Sequence, residues 1–559
     1  MSLSRVSSTD HFERNADSSG IEHRRMSFNP VTDWMPPKHD TPPETAEHVL
    51  EFEDVPKARR ITQVVIAIIY CLFAAGPVFG YAAIKPVLID EGAFDELCTP
   101  SEIEEGVSPC YQQELRLNLM FTIAAVSTNV AALPIGTILD QFGPRVCGII
   151  SSVLIFAGAM LMSFASSVKA DLYTPAYFLL ALGGPFVFIS SFQLSNTFPH
   201  RSGLILALLT GAFDSSSALF LLFRILYERT EGSLNTEKLF KIYLVVPIFI
   251  LVVQIFVMPK VSYKSVSEIV KEAEEGANAP TPPEATEEQQ ITFRERRESA
   301  VSEITALLET PANSKRAVRE EKKNHQSGVW GVLHGRTAWE QIKTPWFILI
   351  TLFTVVQMTR INYFVATVRS QERWLLGSEE QARKVNEFFD IALPVGGVLS
   401  IPFIGAILDN TSTPFALGSL VLVATVIGVL GCLPYTWAAI ANIALFVLYR
   451  PFYYTAVSDY SAKVFGFVTF GKVYGLIICL AGLLNFLQSP LDAVTHVVFD
   501  LNPIPVNAIL TGTAVVVGGA LVAFVTVKSR KAARQELEDE AENATEHLMP
   551  NGNGHTYGT

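Results

Sequence analysis

Five ionisable residues fall inside long apolar runs of this chain: Asp214, Arg224, Arg360, Asp390 and Arg450. Charge is expensive in hydrocarbon, so each is a functional candidate before any fold is known. Arg450 is followed at helical spacing by Tyr453 and Tyr454, which share its face. Arg360 is followed by Asn362 and Tyr363. A guanidinium flanked by phenols can grip a carboxylate bidentately, so the chemistry suggested is recognition of a small anion or zwitterion. The competing reading is an arginine pinned by backbone carbonyls or by a carboxylate on a neighbouring helix. Asp214 and Asp390 are either proton-coupling sites or the ion-pair partners of Arg360 or Arg450, and pairing is the favoured role. Arg224 lies ten residues after Asp214, about 15 Å along a helix, too far to pair with it. A second polar set, Ser191, Gln193 and Asn196, sits in another apolar run, and Tyr70 in the first. In that first run G-P-V-F-G (76–80) either breaks a helix to free backbone groups or allows close packing. No nucleophile elbow, phosphate loop or metal-ligand spacing occurs in any apolar run, so an enzyme is disfavoured and no cofactor or metal is expected.

These residues are organised around a repeated stretch. P-I-G-T-I-L-D-Q-F-G-P-R (134–145) has a shortened echo in P-F-I-G-A-I-L-D-N-T-S-T-P (402–414). Both place a Gly (Gly136, Gly405) four residues before an Asp (Asp140, Asp409) at the end of an apolar run. The Gly permits close helix approach. The Asp, at the membrane boundary, can cap a neighbouring helix N-terminus and favour its positive dipole end. Gly143 and Pro144 make a tight turn, and Arg145 is expected to anchor at headgroups. Such a clasp holds two bundles together on one face and releases when they rock. The second copy lacks the Gly and Arg after Asp409 and is expected to be weaker. Lys472 is placed at the same mouth, near enough to take part in the gate.

The elements that position these residues follow from composition. Of 559 residues 49% are hydrophobic and only 17% charged, against about a quarter charged in soluble domains, and mean hydropathy is +0.32. Apolar runs near the length needed to span hydrocarbon recur near 62–86, 115–139, 146–167, 172–197, 203–226 and 239–258. Six more lie near 344–367, 386–408, 414–433, 437–459, 465–490 and 504–527. The expected fold is an all-α membrane protein of twelve helices in two six-helix bundles, 61–258 and 343–527. Residues 1–60 and 528–559 read as disordered polar tails, and 259–342 as a mostly disordered linker. The net charge of −12 resides in these segments and one acidic loop, so it points to no nucleic-acid partner. Membrane lipid and a small-molecule substrate are the expected partners of a monomer.

Lys and Arg near span ends put the linker, both termini and the His200-Arg201 turn in the cytosol. The loop 369–384, with four cations, dissents. The acidic loop 90–114 faces outside or a lumen, where Cys98 and Cys110 would close a disulfide. The membrane is either the plasma membrane or a vacuolar or other endomembrane.

The loop motif resembles that of the major facilitator superfamily. More narrowly, F-G-Y-A-A-I-K-P-V-L-I-D-E-G-A-F-D-E-L-C (79–98), L-R-L-N-L-M-F-T-I-A (115–124) and Ser195-Asn196-Thr197-Phe198 resemble solute carrier family 43. So do R-P-F-Y-Y (450–454) and F-G-K-V-Y-G-L (470–476) with L-L-N-F-L-Q-S-P (483–490). The resemblance implies alternating-access transport of large neutral amino acids, with one branch carrying purine nucleobases. It also implies that helices one, four, seven and ten line the cavity. Arg450, Arg360, Tyr453, Tyr454, Tyr363, Gln193, Asn196, Ser191 and Tyr70 are then the expected substrate contacts. A non-transporting nutrient sensor on the same fold, signalling through the linker, is the reading from another class.

Overall fold

The computed structural model describes residues 55–548 apart from 100–109, 169, 199–200, 261, 264–323 and 325. The described residues belong to one compact unit, Val55–Ser265 with Arg319–Thr559. Most of the expected tail at 1–60 and of the linker lies outside them, as does His200.

Every regular element among the described residues is helical. The first half contains α1 (Lys57–Asp90), α4 (Tyr173–Thr197), α5 (Ser202–Arg229) and α6 (Thr236–Phe256). Between α1 and α4 runs a helical stretch, Leu115–Ser167, of 53 residues. At 1.5 Å per residue it measures about 80 Å, far more than one crossing of a core about 30 Å thick. Gly143 divides it: its φ of +80° and ψ of 174° are accessible to glycine and costly for other residues. We label the parts α2 (111–142) and α3 (144–164).

The second half contains α7 (Pro345–Leu376), α9 (Thr413–Leu430), α10 (Thr436–Phe465), α11 (Phe470–Leu487) and α12 (Ile504–Lys531). Between α7 and α9, Glu379–Leu399 and Ile401–Asn410 form one span, α8, bent by 41°. Pro402 follows the bend; its ring crowds the carbonyl four residues back and it has no N–H to donate. With the long stretch divided at Gly143 and the bent pair taken as one span, the described residues form twelve helices of spanning length, six in each half.

α1 is interrupted by a 3₁₀ turn at Pro77–Gly80. Both readings of G-P-V-F-G hold at once. The break leaves the Val78 carbonyl to accept from the Tyr177 hydroxyl of α4 at 2.7 Å, and a Cβ on Gly80 would strike the Ser217 carbonyl of α5.

Three boundaries differ from the sequence reading. Helix α1 begins at Lys57, inside the expected tail. The helix containing α12 continues to Leu548, through the charged segment expected to be disordered. The last part of the linker is docked: Gly331 and Leu333 donate backbone N–H to the Lys463 and Val464 carbonyls. Gln341 donates to the Leu333 and Phe465 carbonyls, with Val329 and Leu333 buried. Unpaired carbonyls at the end of α10 give this segment backbone partners that periodicity does not reveal.

Candidate functional site

The two halves meet along two seams, α2 against α11 and α5 against α8, with α10 also touching α5. In the first seam Gly136 and Gly471 lie so close that a Cβ on either would overlap the other's carbonyl. In the second, a Cβ on Gly211 would lie 2.7 Å from the Gly397 carbonyl.

Each seam ends at one of the repeated aspartates. Asp140 Oδ1 and Oδ2 accept from the backbone N–H of Gly471 and Lys472, both at 2.9 Å. Asp409 accepts from Gly203 and Leu204 at 2.9 and 3.1 Å. Each carboxylate therefore caps the N-terminus of a helix in the opposite half, α11 or α5. These amides have no partner inside their own helix, and the dipole there favours an anion. The second copy, expected to be weaker for lack of the trailing Gly and Arg, makes the same two bonds. The bonds need only the carboxylate and the closeness allowed by Gly405, whose Cβ would meet Leu204 at 2.9 Å or more. Arg145 does not reach toward headgroups. It donates to the Met258 carbonyl, tying the turn to the end of α6. Lys472 enters the clasp through its backbone N–H.

Midway along the α5–α10 contact, Arg450 Nη2 lies 3.7 Å from Asp214 Oδ1. The Arg450 side chain is 11% exposed and the Asp214 side chain 3%. Neither Asp214 oxygen accepts a hydrogen bond, and Arg450 Nε donates none. Tyr454 lies one turn on from Arg450 along α10. The pair bridges the two halves with hydrogen-bonding capacity unused.

Beside it, aromatic rings run from one half to the other. Phe79 meets Phe213 at 5.7 Å, Phe213 meets Phe188 at 4.6 Å, and Phe188 meets Phe192 at 4.7 Å. Phe192 crosses to Phe470 and Tyr474 of α11 at 6.0 and 5.7 Å. Phe79, Phe188 and Phe213 keep part of their surface exposed, while Phe192, Phe470 and Tyr474 are buried. Sequence reasoning did not single these residues out, because a lone Phe in an apolar run looks the same facing lipid or ligand. The i,i+4 spacing of Phe188 and Phe192 was the available signal.

Other expected contacts are committed elsewhere. The Gln193 side chain accepts from the Tyr263 N–H at 2.7 Å and Asn196 donates to the Tyr263 carbonyl at 2.8 Å, so both clamp the segment after α6. Tyr70 and Ser191 hydrogen-bond one another at 2.8 Å, joining α1 to α4. Tyr453 donates to the Thr354 carbonyl and Tyr363 pairs with Thr495 at 2.7 Å. Arg360 donates to Gln357, Thr511 and the Ala424 carbonyl, turning into the second half rather than toward the seam. Arg224 and Asp390, expected to be buried, are not. Beyond an interruption of α5 at Ser216–Ser217, Arg224 pairs with Glu228 at 2.8 Å. Asp390 is exposed and accepts from Asn386. Buried carboxyls that the sequence reading did not single out include Glu372 and Asp459, the latter paired at 2.6 Å with the part-buried Lys463 one turn on. Cys98 and Cys110 are disulfide-bonded, with Cα atoms 5.8 Å apart.

A family model described as Major Facilitator Superfamily matches residues 106–489. The chain belongs to the major facilitator superfamily. It is a multi-pass membrane transporter of small solutes rather than an enzyme. Protein FMP42 of Saccharomyces cerevisiae is 48% identical over 485 residues, 83% of this chain and 94% of that protein. Equilibrative nucleobase transporter 1 of Bos taurus is 24% identical over 81% of this chain and 93% of its own length. Large neutral amino acids transporter small subunit 3 of Mus musculus is 29% identical over 181 residues, 30% of this chain and 32% of that protein. Among solved structures, the proton:xylose symporter XylE shares the fold with a TM-score of 0.52 at 13% identity, covering 84% of this chain and 96% of that one.

Proposed function

We propose that this superfamily member carries large neutral amino acids, as in solute carrier family 43, and that Arg450 and Asp214 receive the zwitterion. The observation that carries this reading is the loose, inter-half ion pair. An α-carboxylate entering beside Arg450 and an α-ammonium beside Asp214 would satisfy both groups and separate them. The half-exposed Phe79, Phe188 and Phe213 supply an apolar wall for a branched or aromatic side chain. Gln193 and Asn196, the groups best suited to a neutral nucleobase edge, are already engaged with Tyr263.

With the two aspartate clasps on the cytosolic face and both termini on that side, the described conformation is closed toward the cytosol. Rocking of the halves then breaks the four amide-to-carboxylate hydrogen bonds at the clasps and opens the seams, giving alternating access to the Arg450–Asp214 site.

A purine nucleobase is the second reading, favoured by similarity along nearly the full length of a nucleobase transporter. Uptake of labelled leucine, phenylalanine and adenine into proteoliposomes separates the two. Leucine and phenylalanine should accumulate inside; adenine uptake without either amino acid would overturn the proposal.

A further inference from the structure

We propose that the second half holds a resident monovalent inorganic anion of halide size beside Arg360, in a cavity distinct from the seam between the halves. The cavity measures about 40 Å³ and lies among α7, α9, α10 and α12. Its polar lining is Gln357, Arg360, Tyr363, Asn442, Tyr449, Asn507 and Thr511, and no carboxylate lines it. Arg360 finds only neutral acceptors: Ala424 O at 3.0 Å, Gln357 Oε1 at 3.3 Å and Thr511 Oγ1 at 3.3 Å. Arg360 is part-buried, and a cation withdrawn from water without a counter-ion loses solvation that neutral acceptors return only in part.

Two donors add to that charge. Gln357 Nε2 and the Tyr449 hydroxyl are buried with no hydrogen-bond partner, their residues 1% and 3% exposed. Natural proteins rarely leave such groups unmet. A guanidinium, an amide N–H₂ and a phenol converging on one small space form a donor set for an anion. Asn442 Oδ1, also unpartnered, is an acceptor. A water needs about 10–15 Å³ of such space, so the volume takes one halide and one water that donates to Asn442. It does not take an amino acid or a nucleobase, whose sites run to roughly 300 Å³ or more. The anion balances Arg360 locally without touching the transport site.

The test uses the full chain purified in detergent, melted in sodium chloride titrated against sodium gluconate at constant ionic strength. An anion that binds the folded state raises Tm by mass action, so chloride and bromide should each give a saturable rise of a few degrees. Arg360→Met should abolish that rise. Tyr449→Phe should weaken the apparent halide affinity roughly tenfold, the effect of losing one hydrogen bond to a charge. Equal melting in chloride and gluconate would overturn the proposal, as would a halide response undiminished in Tyr449→Phe. If Arg360→Met fails to fold, the wild-type titration and Tyr449→Phe decide. Arg450→Ala should keep the full halide response, so this inference and the amino-acid reading stand or fall separately.

Discussion

Arg450 and Asp214 are each costly to bury alone, and 3.7 Å between them leaves the attraction only partly realised. Removing one member of a buried pair costs about 3–5 kcal/mol because the other charge is left stranded. Arg450→Ala should therefore lower both stability and uptake, the latter by at least about a hundredfold if the residue also holds substrate. The double variant Arg450→Leu with Asp214→Leu separates the two roles: melting should recover toward wild type while uptake stays abolished. Recovery of transport with stability would reduce the pair to a structural one. On the opposite face from the clasps, Asp171 provides a pH signature. Partial burial works to raise its pKa, but the Thr174 backbone N–H and the Arg116 guanidinium outweigh this and hold it low. A depressed folded pKa gives stability present above the unfolded value, about 3.9, and lost as pH falls through the folded one. The melting difference between wild type and Arg116→Ala should therefore be full at neutral pH and shrink as pH falls below about 4. A difference that grows on acidification would contradict the assignment.

The seams and clasps belong to the scale of elements. An N-cap side chain contributes about 0.5–2 kcal/mol, and Asp140 and Asp409 each cap across the two halves. Replacing both by Ala should shift the balance between clasped and released states by roughly tenfold. Cysteine labelling along the clasp ends of α5 and α11 reads this out, and unchanged labelling would sink the gate role. Gly471→Ala should act on the same equilibrium, because its Cβ meets Gly136 backbone and Asp140 together. The repeated Gly-and-Asp spacing made these clasps legible, since small size and a charge at a helix end each have one strong use in a membrane. The twelve crossings were legible from length alone. The hydrogen-bond partners of the candidate contacts were not. Gln193, Asn196 and Tyr453 have the right types on a plausible helix, yet their partners, Tyr263 and Thr354, are distant in sequence. Arg224 looked buried because the interruption of α5 carries no proline or glycine, only Ser216 and Ser217.

Among the described residues, the two halves touch through small residues, two capped helix ends, the Ser215–Pro394 hydrogen bond, the Arg450–Asp214 ion pair and the aromatic contacts of Phe192. Backbone close enough to exclude any Cβ makes the seams either shut or open, with little between. A bistable contact of that kind suits a transporter whose substrate must bias it, and under the proposed function a zwitterion that parts Arg450 from Asp214 would provide the bias at the point where the halves meet. The direct measurement is competition against labelled phenylalanine uptake in proteoliposomes by phenethylamine, which lacks the carboxylate, and by hydrocinnamate, which lacks the ammonium. The account predicts that each inhibits at least about thirtyfold less well than unlabelled phenylalanine, since each leaves one buried charge unmet. Inhibition by either analogue as strong as by phenylalanine itself would contradict the role of the Arg450–Asp214 pair.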